Sequence, residues 1–391
     1  MAISKKTADH RKDYKLSIAP VINQGRLEHT AHPDDTVFQA LSQVKSTHEA
    51  VFVLDNNDQF LGLVSPYKVL YQHKLLNQTK VSSVLIHPPT LTSRSLLTET
   101  AGFMVSLRIY TLPVFGDNLR LSGYVRGGDL LRLTLQNPTL TQKLSEQVDW
   151  REPITAPITT SVQKIFGLLR SKNITRVLLV DKDRHLKGVV ARSDLRFALM
   201  TPSDRERLKS PAGANLYFND NHAKGLKDPV STLAVANVLT VDEKESVIAA
   251  LKKMLSKQIH SVVQIDQSRR PIGFLSRSDF LMGLMALKPK ASFPVILSVK
   301  TPNLQEYYSL VSQWYAEDFI DKHYRRFAPM QFKLLIKSSQ NEVGKPFLFS
   351  SNLAYTLKNG KTFYAKSQHH WFKQVLIDGF NKLDKQLRRS N

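Results

Sequence analysis

The chain has no cysteine among its 391 residues, which removes disulfides, thiolate catalysis and cysteine-held metals together. Carboxylates are scarce: 33 Asp and Glu stand against 55 Lys and Arg, for a formal net charge of +22. No apolar run approaches the roughly 20 residues that a membrane-spanning helix needs. The basic start, MAISKKTADHRKDYK, lacks the apolar stretch of a secretory signal. A Gly-rich phosphate loop, HExxH, GxSxG and carboxylate pairs with supporting context are all missing, so no enzyme activity and no metal site are expected. These absences predict a cytoplasmic protein that does not engage membranes and whose surface attracts polyanions, nucleic acid before any other. A basic protein that merely stays soluble is the plain alternative.

What is present is one short pattern written repeatedly. GVVARSDLRFAL from Gly188 and GFLSRSDFLMGL from Gly273 share a glycine, an apolar strand, a polar step, an aspartate and an apolar helix start. Weaker versions begin at Gly62 (GLVSPYKVLYQH) and Gly123 (GYVRGGDLLRLT). The four glycines are 61, 65 and 85 residues apart, a spacing that suits a small repeated module with an insertion in the last interval. Upstream of each glycine lie an amphipathic helix and a buried strand. In the third copy Val162, Ile165, Phe166 and Leu169 share a helical face, and RVLLVD and KGVVAR read as strands. Ser193 and Ser278 stand where an N-cap is preferred.

This helix–strand–strand–helix unit resembles the cystathionine-β-synthase (CBS) domain, and four copies would make two Bateman modules over about residues 15–290. The resemblance implies a sensor that takes AMP, ADP, ATP or another adenosyl ligand in clefts between paired repeats, with no cofactor required and with homodimers formed through the modules. In that family a Ser or Thr and an Asp three residues later hold ribose and phosphate. The fourth copy keeps both as Ser276 and Asp279. The third keeps Asp194 with Ala191 in the hydroxyl position, and the second keeps Asp129 with Arg126 there. The first has Ser65 but Lys68 in place of the acid. An Asp in the first turn of a helix is also stabilised by the helix dipole without any ligand. The insertion at about 201–233 reads as a long loop, with at most a short helix at SDRERL and with Arg205, Arg207, Lys209, Lys224 and Lys227 as basic points.

After residue 290 the pattern changes. The periodicities read β-α-β-β-β-α with both helices on one face of a sheet, and Asn359-Gly360 marks a hairpin. Leu304, Tyr308, Val311, Tyr315 and Phe319 form the inward stripe of the first helix; Phe372, Leu376, Leu383 and Leu387 form that of the second, which is read as starting at the histidine pair 369–370. Residues 292–391 carry 15 Lys and Arg against 7 Asp and Glu. Tyr364 alternates with polar neighbours, which fits an ordinary half-buried strand. The element order, NGKTFYA and the ending VLIDGFNKLDKQLRR resemble ribosome hibernation-promoting factors. That resemblance implies a domain lying in the decoding channel of the small ribosomal subunit. Lys322, Arg325, Arg326, Lys333, Lys337, Lys366, Lys373, Lys382, Lys385, Arg388 and Arg389 are the cations expected to meet ribosomal RNA as one surface, each neutralised phosphate releasing a condensed counterion.

The expected fold class is thus α/β and α+β multidomain: a basic tail (1–14), Bateman modules at 15–138 and 139–290, and a hibernation-factor-like RNA-binding domain at 291–391. The expected function is a ribosome-associated hibernation factor that blocks tRNA and mRNA sites, gated by adenine nucleotide. The alternatives are a nucleotide-sensing regulator of a protein partner and a nucleic-acid-binding regulator away from the ribosome.

Overall fold

The computed structural model describes residues 16–44, 49–69, 79–116, 120–172, 174–195, 227–287, 295–301, 305–323, 326–327, 329–339 and 348–390. The chain divides into two compact units, Met1–Leu287 and Lys288–Asn391.

Three segments of the first unit share one architecture. In the first, β1 (Thr30–Ala31) is parallel to β2 (Val51–Leu54) across α1 (Val37–Ser42), and β2 is antiparallel to β3 (Phe60–Val64), which leads into α2 (Pro66–Val69). The 86–135 segment has α3 (Leu97–Leu107), the hairpin β4 (Thr111–Phe115) and β5 (Leu121–Arg126), then α4 (Gly127–Leu135). Its first strand is reduced to one parallel bridge, Leu91 to Val114. A connecting helix, α5 (Pro138–Ser145), follows. The third segment is β6 (Thr155–Pro157), α6 (Val162–Ser171), β7 (Arg176–Val180), β8 (Leu186–Ala191) and α7 (Arg192–Leu195). The last is β9 (Thr240–Asp242), α8 (Val247–Ser256), β10 (Ser261–Ile265), β11 (Pro271–Ser276) and α9 (Arg277–Ala286).

Local chemistry explains these helices. Thr36 caps α1 by accepting from Gln39 N, while Gln39 Oε1 accepts from Thr36 N at 2.8 Å, a reciprocal arrangement that satisfies two orphan donors. Ser161 and Ser246 cap α6 and α8, and Asn137 caps α5 with Pro138 at its first position. Inward, Val162, Ile165 and Leu169 of α6 close over Val177, Leu179 and Val190 of the sheet. The helix stops where the apolar spacing stops.

The segments are tied in pairs by an exchange of backbone. The stretch ahead of the first segment pairs with the second: Asn23 and Tyr124 trade both hydrogen bonds, at 2.8 and 2.9 Å. The stretch ahead of the second pairs back with the first, Ile86 with Leu63 at 2.8 Å twice. The third and fourth repeat the scheme through Arg151–Phe274 and Val235–Val189. The four signature glycines lie where these strands cross. A β-carbon on Gly62 or Gly188 would stand 3.1 Å from the carbonyl oxygen of Ile86 or Val235; on Gly123 it would stand 2.4 Å from that of Asn23. On Gly273 it would meet the ring of Trp150 at 3.1 Å and Gln264 Oε1 at 2.7 Å. At Gly62, Gly123 and Gly188 the glycine leaves space for a second backbone, and at Gly273 for the side chains of Trp150 and Gln264.

The second unit runs β12 (Val295–Lys300), α10 (Gln305–His323), β13 (Pro329–Ser339), β14 (Leu348–Leu357), β15 (Thr362–His369) and α11 (Phe372–Arg389). The sheet order is β12-β13-β14-β15, with β12 parallel to β13 and the remaining pairs antiparallel. Both helices pack on one face of the sheet. Phe332, Leu334, Ile336, Leu353, Tyr355 and Phe363 point into that core, meeting Phe319 and Ile320 of α10 and Leu376, Phe380 and Leu383 of α11. Gly379 lets α11 settle onto β14: a β-carbon there would stand 2.7 Å from Leu353 Cδ1. Gly360, at φ +83°, turns the β14–β15 hairpin.

Candidate ligand and nucleic-acid sites

Ser276 and Asp279 lie at the start of α9, both buried. Asp279 Oδ2 accepts from Ser276 N and from Ser276 Oγ, each at 2.7 Å. Ser276 is thus the residue before the helix, and Ser278, expected as the cap, lies inside it with its hydroxyl 2.7 Å from that of Ser276. The helix begins earlier because the acid three residues on reaches back to the free N–H. Arg151, from the exchanged stretch, donates Nη2 to Asp279 Oδ2 at 2.8 Å, and its guanidinium lies 5.5 Å from the centre of the Phe274 ring. The other oxygen, Asp279 Oδ1, is buried and has no hydrogen-bond partner. A carboxylate oxygen left bare in this way is a candidate acceptor for hydroxyls of a bound molecule.

Arg176 of β7 ties this corner to the third segment. Burial pulls its guanidinium below the usual value, and the charge of Asp194 leads the opposing interactions, followed by Tyr110 and Asp279. Burial likewise pushes the Tyr110 hydroxyl up, against a hydrogen bond with Ser278. Asp194 is used as Asp279 is: its Oδ2 accepts from Ala191 N at 2.7 Å. Ser193 falls within α7 rather than before it.

In the first pair the corresponding positions are occupied by the fold itself. Asp129 accepts from Asn23 Nδ2 at 3.0 Å and from Arg132 Nη1 at 2.7 Å. Arg126 pairs with Glu28 and lies 5.1 Å from the centre of the Tyr124 ring. Ser65 is fully buried, with no partner for its hydroxyl. The side chain of Lys68 lies outside the described residues, as do Arg205, Arg207, Lys209, Lys224 and the SDRERL stretch; Lys227 is exposed.

The cations of the second unit do not form the single surface expected. Lys333, Lys337 and Lys366 project from the sheet face that carries no helix, and Lys300 joins them. Lys322, Arg326, Lys385, Arg388 and Arg389 belong to the helical side and the turn after α10. Lys382 reaches the edge strand, donating to Lys366 O at 2.9 Å, and Arg388 pairs with Asp384 at 2.8 Å. Lys373 is half-buried, and burial draws its ammonium below the usual value. Arg325 and Leu304 lie outside the described residues. β15 is the half-buried strand expected, with Tyr364 on its open face, 65% exposed and with no described helix packed over it. One further expectation fails here. His369 ends β15 and α11 starts only at Phe372; His369 Nδ1 accepts from Trp371 N at 2.9 Å instead.

Arg151 was missed by sequence reasoning. It sits in a loop stretch with no repeat signal of its own, and the exchange of backbone brings it to Asp279. Asn23 meets Asp129 in the same way in the first pair, a parallel that only the fold brings out.

A family model for the CBS domain matches residues 17–72, 146–201 and 230–286. A CBS domain-containing protein of Dictyostelium discoideum is 27% identical over 139 residues, which cover 35% of this chain and 88% of that protein. A solved protein of Methanocaldococcus jannaschii, proposed as an archaeal homologue of γ-AMPK, superposes with a TM-score of 0.50 at 13% identity, covering 68% of this chain and 99% of its own. A CBS domain protein of Pyrobaculum aerophilum complexed with AMP is 22% identical, with a TM-score of 0.27 over 37% of this chain and 98% of its own. No helix among the described residues is long and apolar enough to cross a membrane. By this match and by the repeated strand–helix–hairpin architecture, the chain carries CBS domains in three repeats.

Proposed function

We propose that this chain is a nucleotide-sensing translation silencer that acts by binding and not by catalysis. The 86–135 segment is a fourth, diverged CBS repeat in this reading, and the exchanged stretches define two Bateman modules within one chain. An adenine nucleotide sits in the second module. Its ribose hydroxyls donate to Asp279, its phosphate faces the Arg151 guanidinium, and Ser276 holds the carboxylate in place. The observation that carries the ligand is Asp279 Oδ1, buried without a partner beside a half-exposed arginine. A vicinal diol supplies the donor, and a phosphate supplies the counter-charge for Arg151. The first module serves as scaffold, since Asp129 and Arg126 are already engaged by Asn23, Arg132 and Glu28.

The basic C-terminal unit engages RNA of the small ribosomal subunit and blocks the tRNA and mRNA sites. Its cation excess and its resemblance to hibernation-promoting factors support this half of the reading. Affinity then comes chiefly from Lys and Arg contacts with phosphate and falls with salt.

The test is co-sedimentation of the full chain with purified small subunits and with whole ribosomes at two salt concentrations, with and without AMP. Stoichiometric pelleting that excludes tRNA, weakened by salt and altered by AMP, is expected; Asp279→Ala should abolish the AMP effect. A protein that binds AMP yet stays in the supernatant at moderate salt would replace the ribosome with a protein partner. Equal affinity for naked duplex and for subunits would move the target away from the ribosome.

A further inference from the structure

We infer that the helix-free face of the C-terminal sheet is a platform for single-stranded RNA, on which Tyr364 stacks against a base and Lys300, Lys333, Lys337 and Lys366 hold phosphates. This rests on the reading of the unit as an RNA-binding domain but not on the ribosome as its target.

The register fixes the layout. Ile296, Lys333, Ala354 and Tyr364 form one row across the four strands. Ser298, Leu335, Asn352 and Lys366 form the next, and Lys300, Lys337, Ser350 and Gln368 the third. With neighbouring strands about 4.8 Å apart, Lys333 and Tyr364 are roughly 10 Å from each other, and Lys333 and Lys337 roughly 13 Å along β13. All four lysines on the strands project to this face, and none of the four strands contains an Asp or Glu. The helical side differs, since Glu317, Asp378 and Asp384 alternate there with its cations.

The chemistry of the face selects its occupant. Tyr364 is 65% exposed, and its neighbour across β14 is Ala354, too small to cover the ring. Ile296, in the same row, adds exposed apolar surface at 46%. An exposed aromatic among cations, on strands that hold no carboxylate, suits bases stacked above a neutralised backbone. Duplex presents no free base face to stack on. A second copy docked face to face would bring eight lysines together, which like-charge repulsion opposes. An acidic polypeptide would satisfy the lysines but leave the ring unused. The backbone that carries the ring is also held: the edge of β15 is closed by α11, with Gln386 Nε2 donating to Tyr364 O at 2.8 Å and Lys382 to Lys366 O.

The experiment is fluorescence anisotropy of the full chain with a labelled 12-nucleotide oligo(U), against a duplex RNA of equal length and against polyglutamate as competitor. Tyr364→Ala should weaken oligo(U) binding about tenfold, while Tyr364→Phe, which keeps the ring, should stay within about twofold. Lys333→Ala with Lys337→Ala should lower the slope of log affinity against log salt by about 1.4, the value for two phosphates on a single strand. Unchanged binding by Tyr364→Ala, equal or tighter binding of duplex, or displacement of oligo(U) by equimolar polyglutamate would each overturn the proposal, the last in favour of an acidic protein. The two readings fail separately. Oligo(U) binding without ribosome pelleting removes the ribosome and keeps this face. Oligo(U) binding that Tyr364→Ala and the lysine pair leave intact, with pelleting retained, removes the face and keeps the ribosome.

Discussion

Asn23 lays its carbonyl oxygen over Gly123 so closely that a β-carbon there would stand 2.4 Å away. Asn23 is hydrogen-bonded in both directions to Tyr124, the residue after that glycine, so the backbone cannot retreat without losing the bridge. Gly123→Ala should therefore destabilise the first unit by about 1–3 kcal/mol. Gly62→Ala and Gly188→Ala, each facing a carbonyl at 3.1 Å, should cost less. Urea unfolding of the three variants checks the order, and a Gly123→Ala midpoint equal to wild type would refute the close approach.

Arg151 is the ionic partner of a carboxylate that is only 6% exposed, while its own side chain is 49% exposed. Removing it leaves Asp279 buried with its charge poorly matched. Arg151→Ala should cost about 1–2 kcal/mol, less than for a fully buried pair because solvent already screens the arginine. Adding Asp279→Asn should cause little further loss, which a double-mutant cycle on the unfolding midpoint would measure.

His323 gives the second unit a pH response. Burial lowers its pKa, outweighing the nearby Asp384 carboxylate, 3.1 Å from Nε2; Arg388 and Lys322 push in the same direction as burial. The unfolded chain thus binds a proton more readily than the folded one. The resulting stability is full above the unfolded value of about 6.5 and is lost as pH falls below it. His323→Gln should flatten that part of the melting-temperature profile. A slope that survives the substitution would assign the response to another group.

Tyr355 is fully buried in the second core and donates its hydroxyl to Phe327 O at 2.7 Å, burial holding its pKa at about 12. Tyr355→Phe keeps the ring and strands the carbonyl, so a loss of about 1–2 kcal/mol is expected. Thermal unfolding of the two proteins side by side measures it.

The repeated architecture was legible because glycine, apolar strand and acidic helix start recur as a block, and each has a local cause. The helix start of the fourth copy was misplaced because SRSD offers two serines as caps, and that of the third because ARSD offers only the wrong one. The hydrogen bonds of Asp279 to Ser276 and of Asp194 to Ala191 N select the residue three before the acid. The connecting helix α5 carried no repeat signal, although Asn137-Pro138 is a clear helix opening. Arg151 was not legible at all, since its partner lies 128 residues away. Tyr364 shows a different limit. Alternation separates the two faces of a strand but does not say which is covered, and here both helices chose the other side.

The exchanged stretches also decide what can be cut from this chain. A fragment containing one repeat would lack the strand its partner lends and would carry a strand meant for that partner, so each end would expose bare peptide groups. Such fragments should recruit one another, or aggregate, before they fold alone. The repeats therefore form an indivisible couple: they should melt together, resist proteolysis together and be transplanted into another protein only in twos.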